Sequence, residues 1–285
     1  MSVEVCYGQG GQPMRTTSIL VLTLAFSLLA PPEREARADS PGDAAIPTAA
    51  PPRDAKTEVP IAAYTYTATG APAGTYGAYL YGTGLAASRQ SATAGGGVTA
   101  WGSPVDRLTL VADVPRDVYL LGHFAPSLAA IVRLAGKANE GWSLGAIGKY
   151  KVEGFGTAPD GDFESEIEGG LLLSYGERRG LHLDVNAITG FGLTDDGEID
   201  TEGRLRFGYD VAPMVRIGVD GQGRYRLAGS DKLPNGATWD AAGGPQVMVG
   251  SGHFFGALTG GPTTMGVTSS SVVGWTLVAS LGGAI

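Results

Sequence analysis

From Phe163 to Leu227 the chain keeps one rule across four candidate strands: odd positions are apolar and even positions are not. In FESEIEGGLLLSY the odd set is Phe163, Ile167, Leu171, Leu173 and Tyr175, with Glu164, Glu166 and Glu168 at even places. The rule resumes with Leu181, Leu183, Val185, Phe191 and Leu193 against His182, Asp184 and Asn186. It continues with Leu205, Phe207, Tyr209, Val215, Ile217, Val219, Tyr225 and Leu227 against Arg204, Arg206, Asp210, Arg216, Asp220, Gln222, Arg224 and Arg226. A period of two is that of a β-strand, so the charges share one face and the apolar side chains share the other. Such a sheet needs two solvents. Alternation sustained over segments of about ten residues or more fits a closed antiparallel barrel crossing a bilayer, with lipid outside and water or paired charge within. A soluble sandwich alternates too, but its strands usually run about five or six residues and its outer face is the polar one.

The N-terminus reads as a targeting segment. Met14 and Arg15 precede the apolar run SILVLTLAFSLLA, and PPEREARA then ends in Ala36-Arg37-Ala38, the A-x-A form of a cleavage site. Residues 1–38 are therefore assigned as a signal peptide, with Met14 the better start. Its apolar run is too short to span a bilayer as a helix. Cleavage removes Cys6, the only cysteine, and excludes a disulfide in the mature chain. Three Arg and three Glu leave with it, so the net charge stays at −8, which argues against nucleic acid as a partner. Residues 39–74, rich in Ala and Pro, read as a disordered or extended periplasmic leader. Within it Ile61–Thr69 (IAAYTYTAT) suits either a short strand or a segment tucked into the barrel mouth.

Residues 75–285 hold twelve candidate strands, at 75–85, 92–101, 106–114, 125–136, 142–154, 163–175, 181–192, 200–210, 214–228, 238–249, 253–260 and 270–283. Short links (GSPVD, KANEG, GERRG, VAP, GSG) alternate with longer ones (AASRQS, VPRDVYLLGHF, GFGTAPDGD, GLTDDGEIDTE, AGSDKLPNG, TGGPTTMGVTS). An even strand number, short turns at one end and longer loops at the other are expected of an up-and-down transmembrane barrel. Aromatic residues sort to the strand ends: Trp142, Tyr175 and Tyr209 near the short turns, and Phe155, Phe163, Phe191, Tyr225, Trp239 and Trp275 toward the long loops. Girdles at both interfaces are expected of such barrels.

On these features residues 75–285 resemble a bacterial outer-membrane β-barrel of the porin-like class. The last strand, with Gly274, Leu277 and Leu281, resembles the C-terminal strand that such proteins show to their assembly machinery, although it ends in Ile285 where an aromatic is usual. The resemblance implies outer-membrane localisation in a Gram-negative bacterium after Sec-type export. It also implies outer-membrane lipids, the barrel assembly machinery and small solutes as partners.

Function can be written only on the inward face. Lys149 and Lys151 face Glu164, Glu166 and Glu168 across a hairpin, while Arg204 and Arg206 stand near Arg224 and Arg226, with Asp240 on the next strand and Arg216 and Asp220 nearby. A basic wall opposed by an acidic one makes a transverse field across a narrow passive pore, and clustered guanidiniums favour anionic solutes. The alternative is a closed barrel whose charges pair, acting as a structural, binding or adhesion protein through its loops. Catalysis finds little footing: His123, His182 and His253 are the only imidazoles, and neither His123 with Ser127 nor His182 with Asp184 forms the His–Ser arrangement of barrel hydrolases. The acidic stretch Thr194–Gly203 departs from the EF-hand spacing and reads as a solvated loop, and no sequence signature calls for a cofactor.

Overall fold

The computed structural model describes residues 64–87, 93–116, 125–137, 140–153, 164–177, 180–193, 197–229, 238–251, 253–267 and 270–285. The signal peptide, the leader up to residue 63, His123, Phe155, Phe163 and Thr194 lie outside these residues, as does the side chain of Glu164.

Twelve strands follow one another: β1 (Thr75–Ala87), β2 (Thr93–Val105), β3 (Leu108–Arg116), β4 (Ser127–Ala135), β5 (Glu140–Glu153), β6 (Glu164–Glu177), β7 (Leu181–Gly192), β8 (Ile199–Ala212), β9 (Val215–Ala228), β10 (Trp239–Ser251), β11 (Phe254–Val267) and β12 (Ser270–Ala284). Each pairs with its sequence neighbours, and β1 closes on β12 with Leu80 opposite Leu281 and Gly84 opposite Leu277. Every ladder is antiparallel, so the barrel leaves no open sheet edge. The shortest strands have 9 residues and the longest 15, enough to cross a hydrocarbon core at a tilt.

Alternation decides which side of the wall each residue takes. In β6–β10 and β12 the odd positions face out, and Ile167, Leu171, Phe207, Ile217, Trp275 and Leu281 are exposed. In β1–β5 and β11 the even positions face out, among them Leu80, Leu128, Trp142, Tyr150 and Leu258. The phase changes where an even residue pairs with an odd one, as Tyr150 does with Ile167. Exposed apolar side chains around the whole outer wall make a surface that only lipid can solvate. Trp142 and Tyr175 stack with ring centroids 5.1 Å apart at the short-turn end, and Phe191, Tyr225 and Trp275 are exposed toward the other.

Most strand boundaries agree with the expected ones to within two or three residues. The main departure is β11, expected to stop at residue 260 before the link TGGPTTMGVTS, yet running to Val267. Pairing of β10 with β11 lapses between Ala242–Thr263 and Gln246–Thr259, and both Pro245 and Pro262 sit in that lapse, where a missing N–H breaks no ladder bond. The interval to β12 is therefore only residues 268–269, and the expected long link TGGPTTMGVTS is mostly strand. β2 likewise runs on to Val105, through a register shift after Gly102, into a two-residue turn where Arg107 takes φ +73°.

Candidate functional site in the barrel lumen

The inward face has two storeys, placed here by distance from the short turns. Near those turns Arg206 donates to Asp184 (Nε–Oδ2 2.8 Å), Asp184 accepts the Ser174 hydroxyl at 2.5 Å, and Asp210 receives Arg216 Nε at 2.9 Å. His182 Nε2 lies 3.1 Å from Asp210 and 2.8 Å from an Arg216 nitrogen. Toward the long intervals Lys149 donates to both oxygens of Glu168, Lys151 bridges Glu166 and Glu168, Arg204 meets Glu202 at 2.7 Å and Arg224 meets Asp240 at 2.8 Å. Arg226 pairs with Glu198.

These contacts revise the expected charge layout. Acidic and basic residues interleave rung by rung, with Glu202 opposite Arg224 and Arg206 opposite Asp220, instead of separating into a basic and an acidic wall. Arg204 and Arg224 are diagonal neighbours across the β8–β9 ladder, and a carboxylate stands beside each of Arg204, Arg206, Arg224 and Arg226. Asp200 and Glu202, where the acidic stretch and the expected strand at 200–210 overlap, belong to β8 and lie opposite Arg226 and Arg224.

The feature that sequence reasoning left open is residues 64–71. They lie inside the barrel as a belt, extended about Tyr66 and turning at Ala68 and Thr69, with Thr65, Tyr66, Thr67, Ala68, Thr69 and Ala71 all buried. The belt crosses the strands, touching them in order. Ala71 N donates to Thr109 of β3, Thr69 O accepts from Arg133 of β4, and Ala68 packs on Gly145 of β5 and donates to Ser174 of β6. Tyr66 pairs with Asn186 of β7, and Tyr64 accepts from Arg204 of β8 and donates to Asp220 of β9. Gly145, Leu172, Asn186 and Arg204 are successive partners on one rung of the sheet, so the belt follows that rung. A Cβ on Gly145 would stand 3.2 Å from Ala68 Cα, so the absence of a side chain there leaves room for the belt. The chain then turns at Gly70 (φ +62°) and Gly74 (φ +79°) and enters β1.

The part of the leader from Tyr64 to Ala71 thus lies within the lumen, with Pro72, Ala73 and Gly74 exposed at the turn into β1. Its alternating Thr–Tyr–Thr composition supplies hydroxyls and rings to an enclosed polar wall, and that wall satisfies the main chain that a solvated leader would have left to water. The lumen also carries an apolar cluster that the alternation argument missed. Tyr79, Trp101, Val111, Ile131, Ile147, Leu172 and Ile188 all point inward and, with Tyr66 and Ala68, form one cluster of buried side chains. The Arg204 guanidinium lies over the Tyr66 ring at 4.7 Å. The signal was present, since inward positions this apolar in β1–β5 are poor lining for water and ask for something to pack against.

Hydrolytic chemistry has no assembled geometry among the described residues. Ser174 gives its hydroxyl to a carboxylate, His182 faces Asp210 and Arg216, and His253 Nδ1 lies 3.1 Å from the Ala284 carbonyl oxygen.

No protein-family model and no curated protein sequence matches the chain. Among solved structures it is similar to an outer membrane channel from Pseudomonas putida F1, at 13% identity and TM-score 0.54, over 80% of this chain and 100% of that one. It is more distantly similar to the P. putida toluene transporter TodX, at 8% identity and TM-score 0.36, over 75% of this chain and 90% of that one. At these identities the first likeness speaks for the fold alone: the chain folds as a closed β-barrel of twelve antiparallel strands, similar to that of the outer membrane channel.

Proposed function

We propose that the protein is an outer-membrane channel for small polar solutes, narrowed at rest by its own residues 64–71. The observation that carries the reading is the inward face: ionised and hydroxyl side chains continue from the short-turn storey to the long-interval storey inside a wall that is apolar outside. Buried charge of this extent is stabilised by pairing and by water, and a wetted polar bore is the usual use of such a lining. Anion selectivity by Arg204, Arg206, Arg224 and Arg226 gains no support from their geometry, because each guanidinium sits beside a carboxylate. The solutes proposed are therefore polar, with charge preference set weakly by the paired lining. No catalytic role is proposed. Outer-membrane lipids are the proposed surroundings, and β12, with Trp275, Leu277 and Leu281 turned outward, is the strand proposed to meet the assembly machinery.

A second reading draws on the same belt and ion pairs: a barrel that stays closed and acts through its long-interval end. Planar-bilayer recording separates the two. Full-length protein should give small steps in conductance, and replacing residues 64–69 by a Gly-Ser chain of equal length should enlarge them several-fold. Silence from both proteins, each shown folded by heat-modifiable gel mobility, would establish the closed barrel and end the channel reading.

A further inference from the structure

The belt is held mainly by its main chain, and this says what else the lumen can hold. Tyr64 N donates to Asp220 at 3.0 Å and Tyr64 O accepts from Arg204 at 2.8 Å. Tyr66 N and O both bond the Asn186 carboxamide, at 2.8 and 2.9 Å, and Ala68 N donates to Ser174 at 2.7 Å. Thr69 O accepts from Arg133 at 3.2 Å and Ala71 N donates to Thr109 at 3.2 Å. Up to the turn at Ala68 and Thr69 the bonded residues 64, 66 and 68 alternate, which is how an extended peptide presents its N–H and C=O groups to one side. Side-chain recognition is slighter: the Thr65 hydroxyl on Asp220, the Thr67 hydroxyl against Ser174 and the Tyr66 ring beneath Arg204.

The wall is built for this. Asn186, Ser174, Asp220 and Thr109 are each nine-tenths or more buried, and both ends of the Asn186 amide go to one residue's main chain. From this arrangement we propose that the lumen is a binding site for short extended peptides, with residues 64–71 as its resident occupant. The proposal rests on the channel reading in that the lumen must be reachable from solution, and it names the class of solute. Main-chain bonds are blind to sequence, so the site accepts varied peptides, with a preference for hydroxyl and aromatic side chains at alternate positions. Because the resident segment is tethered, it competes at an effective concentration in the millimolar range, and a free peptide binds well only when the belt is weakened.

The test uses full-length protein in detergent with residues 64–69 replaced by a Gly-Ser chain, its fold checked by heat-modifiable mobility, and a fluorescein-labelled acetyl-YTYTAT-amide followed by anisotropy. Saturable binding is expected, weaker by about tenfold or more in the unaltered protein and in the replaced protein that also carries Asn186→Leu. A peptide of different side chains, acetyl-SASAVA-amide, should bind within about tenfold of the first, and the first peptide N-methylated at both Tyr amides should lose binding. Absence of saturable binding to the folded variant, or equal binding of the N-methylated peptide, overturns the proposal. Should the replacement fail to fold, Tyr66→Gly, which removes the ring beneath Arg204 and leaves the wall intact, is read in the same way. A variant that binds peptide yet passes no ions sinks the channel reading alone, and one that conducts but binds no peptide sinks this proposal alone.

Discussion

Asn186 holds Tyr66 by both ends: its Oδ1 accepts the Tyr66 amide proton at 2.8 Å and its Nδ2 donates to the Tyr66 carbonyl at 2.9 Å. A carboxamide matches a peptide unit donor for acceptor, so no ionised or hydroxyl side chain of similar size replaces it at both positions.

Asn186→Leu should therefore loosen the belt and spare the barrel. It leaves a buried N–H and C=O without partners, at about 1 to 3 kcal/mol each where water cannot reach them. Hydrogen exchange at residues 64–69 should accelerate by about tenfold or more, while strand amides of β6 and β8 keep their protection. Unchanged exchange in the belt would show that Asn186 does not hold it.

Gly145 offers a steric route to the same segment. A Cβ there already lies 3.2 Å from the Ala68 carbonyl oxygen and 3.3 Å from its Cβ, so Gly145→Val must move the belt. Gly148, three residues on, has nothing within 4 Å of a Cβ and faces outward, which makes Gly148→Val the control. Cleavage by an added protease within residues 64–71 should rise for the first variant and stay at the unaltered level for the second. Equal cleavage of both would mean that the belt does not rest on this wall.

The Lys149, Lys151, Glu166 and Glu168 cluster is where ion preference is most open to change. Glu168 touches both lysines, at 2.9 and 3.5 Å, and Glu166 pairs with Lys151, so Glu168→Gln takes from the buried Lys149 the carboxylate it bonds. Removing one partner of such a network typically costs about 3 to 5 kcal/mol, and the temperature at which heat-modifiable mobility is lost should fall. In a potassium chloride gradient the reversal potential should shift toward the chloride potential. A shift toward potassium would contradict the channel reading of this storey.

Strand number, closure and the outward phase were legible because lipid enforces a simple rule on every second residue, and a charge on that face carries a large cost. The inward face obeys a weaker rule, since water, salt bridges or a packed segment all satisfy it. Leu172 and Ile188 shared the even phase of Asp184 and Arg206, and alternation alone could not say that they meet Tyr66 and Ala68 inside the barrel. The belt was half visible in IAAYTYTAT, whose alternation resembles that of a strand, but its partners come from seven different strands and no local pattern encodes them. Arg204 pairs with Glu202 two residues back on its own strand, and Arg226 meets Glu198 beyond the shifted register between Ile199 and Asp200, details that charge counting passes over.

Leu171 and Leu172 put both halves of the structure on trial at once. They are neighbours in β6, yet Leu171 is 57% exposed on the outer wall and Leu172 is 0% exposed within the lumen cluster. If lipid is the outer solvent, Leu171→Arg costs about 2 to 4 kcal/mol in a bilayer and little in a detergent that reorganises around the charge. Leu172→Ala removes packing from an enclosed cluster, costs about 2 to 5 kcal/mol in either medium, and deprives Tyr66 and Ala68 of a neighbour. Folding measured in vesicles and in detergent should thus separate the pair: strong medium dependence for Leu171→Arg, and none for Leu172→Ala, whose belt exchanges faster. The reverse assignment would mean that the wall is inside out. Equal medium dependence at both sites would mean that the interior is as open to lipid as the exterior, which a closed ladder from β1 to β12 does not permit.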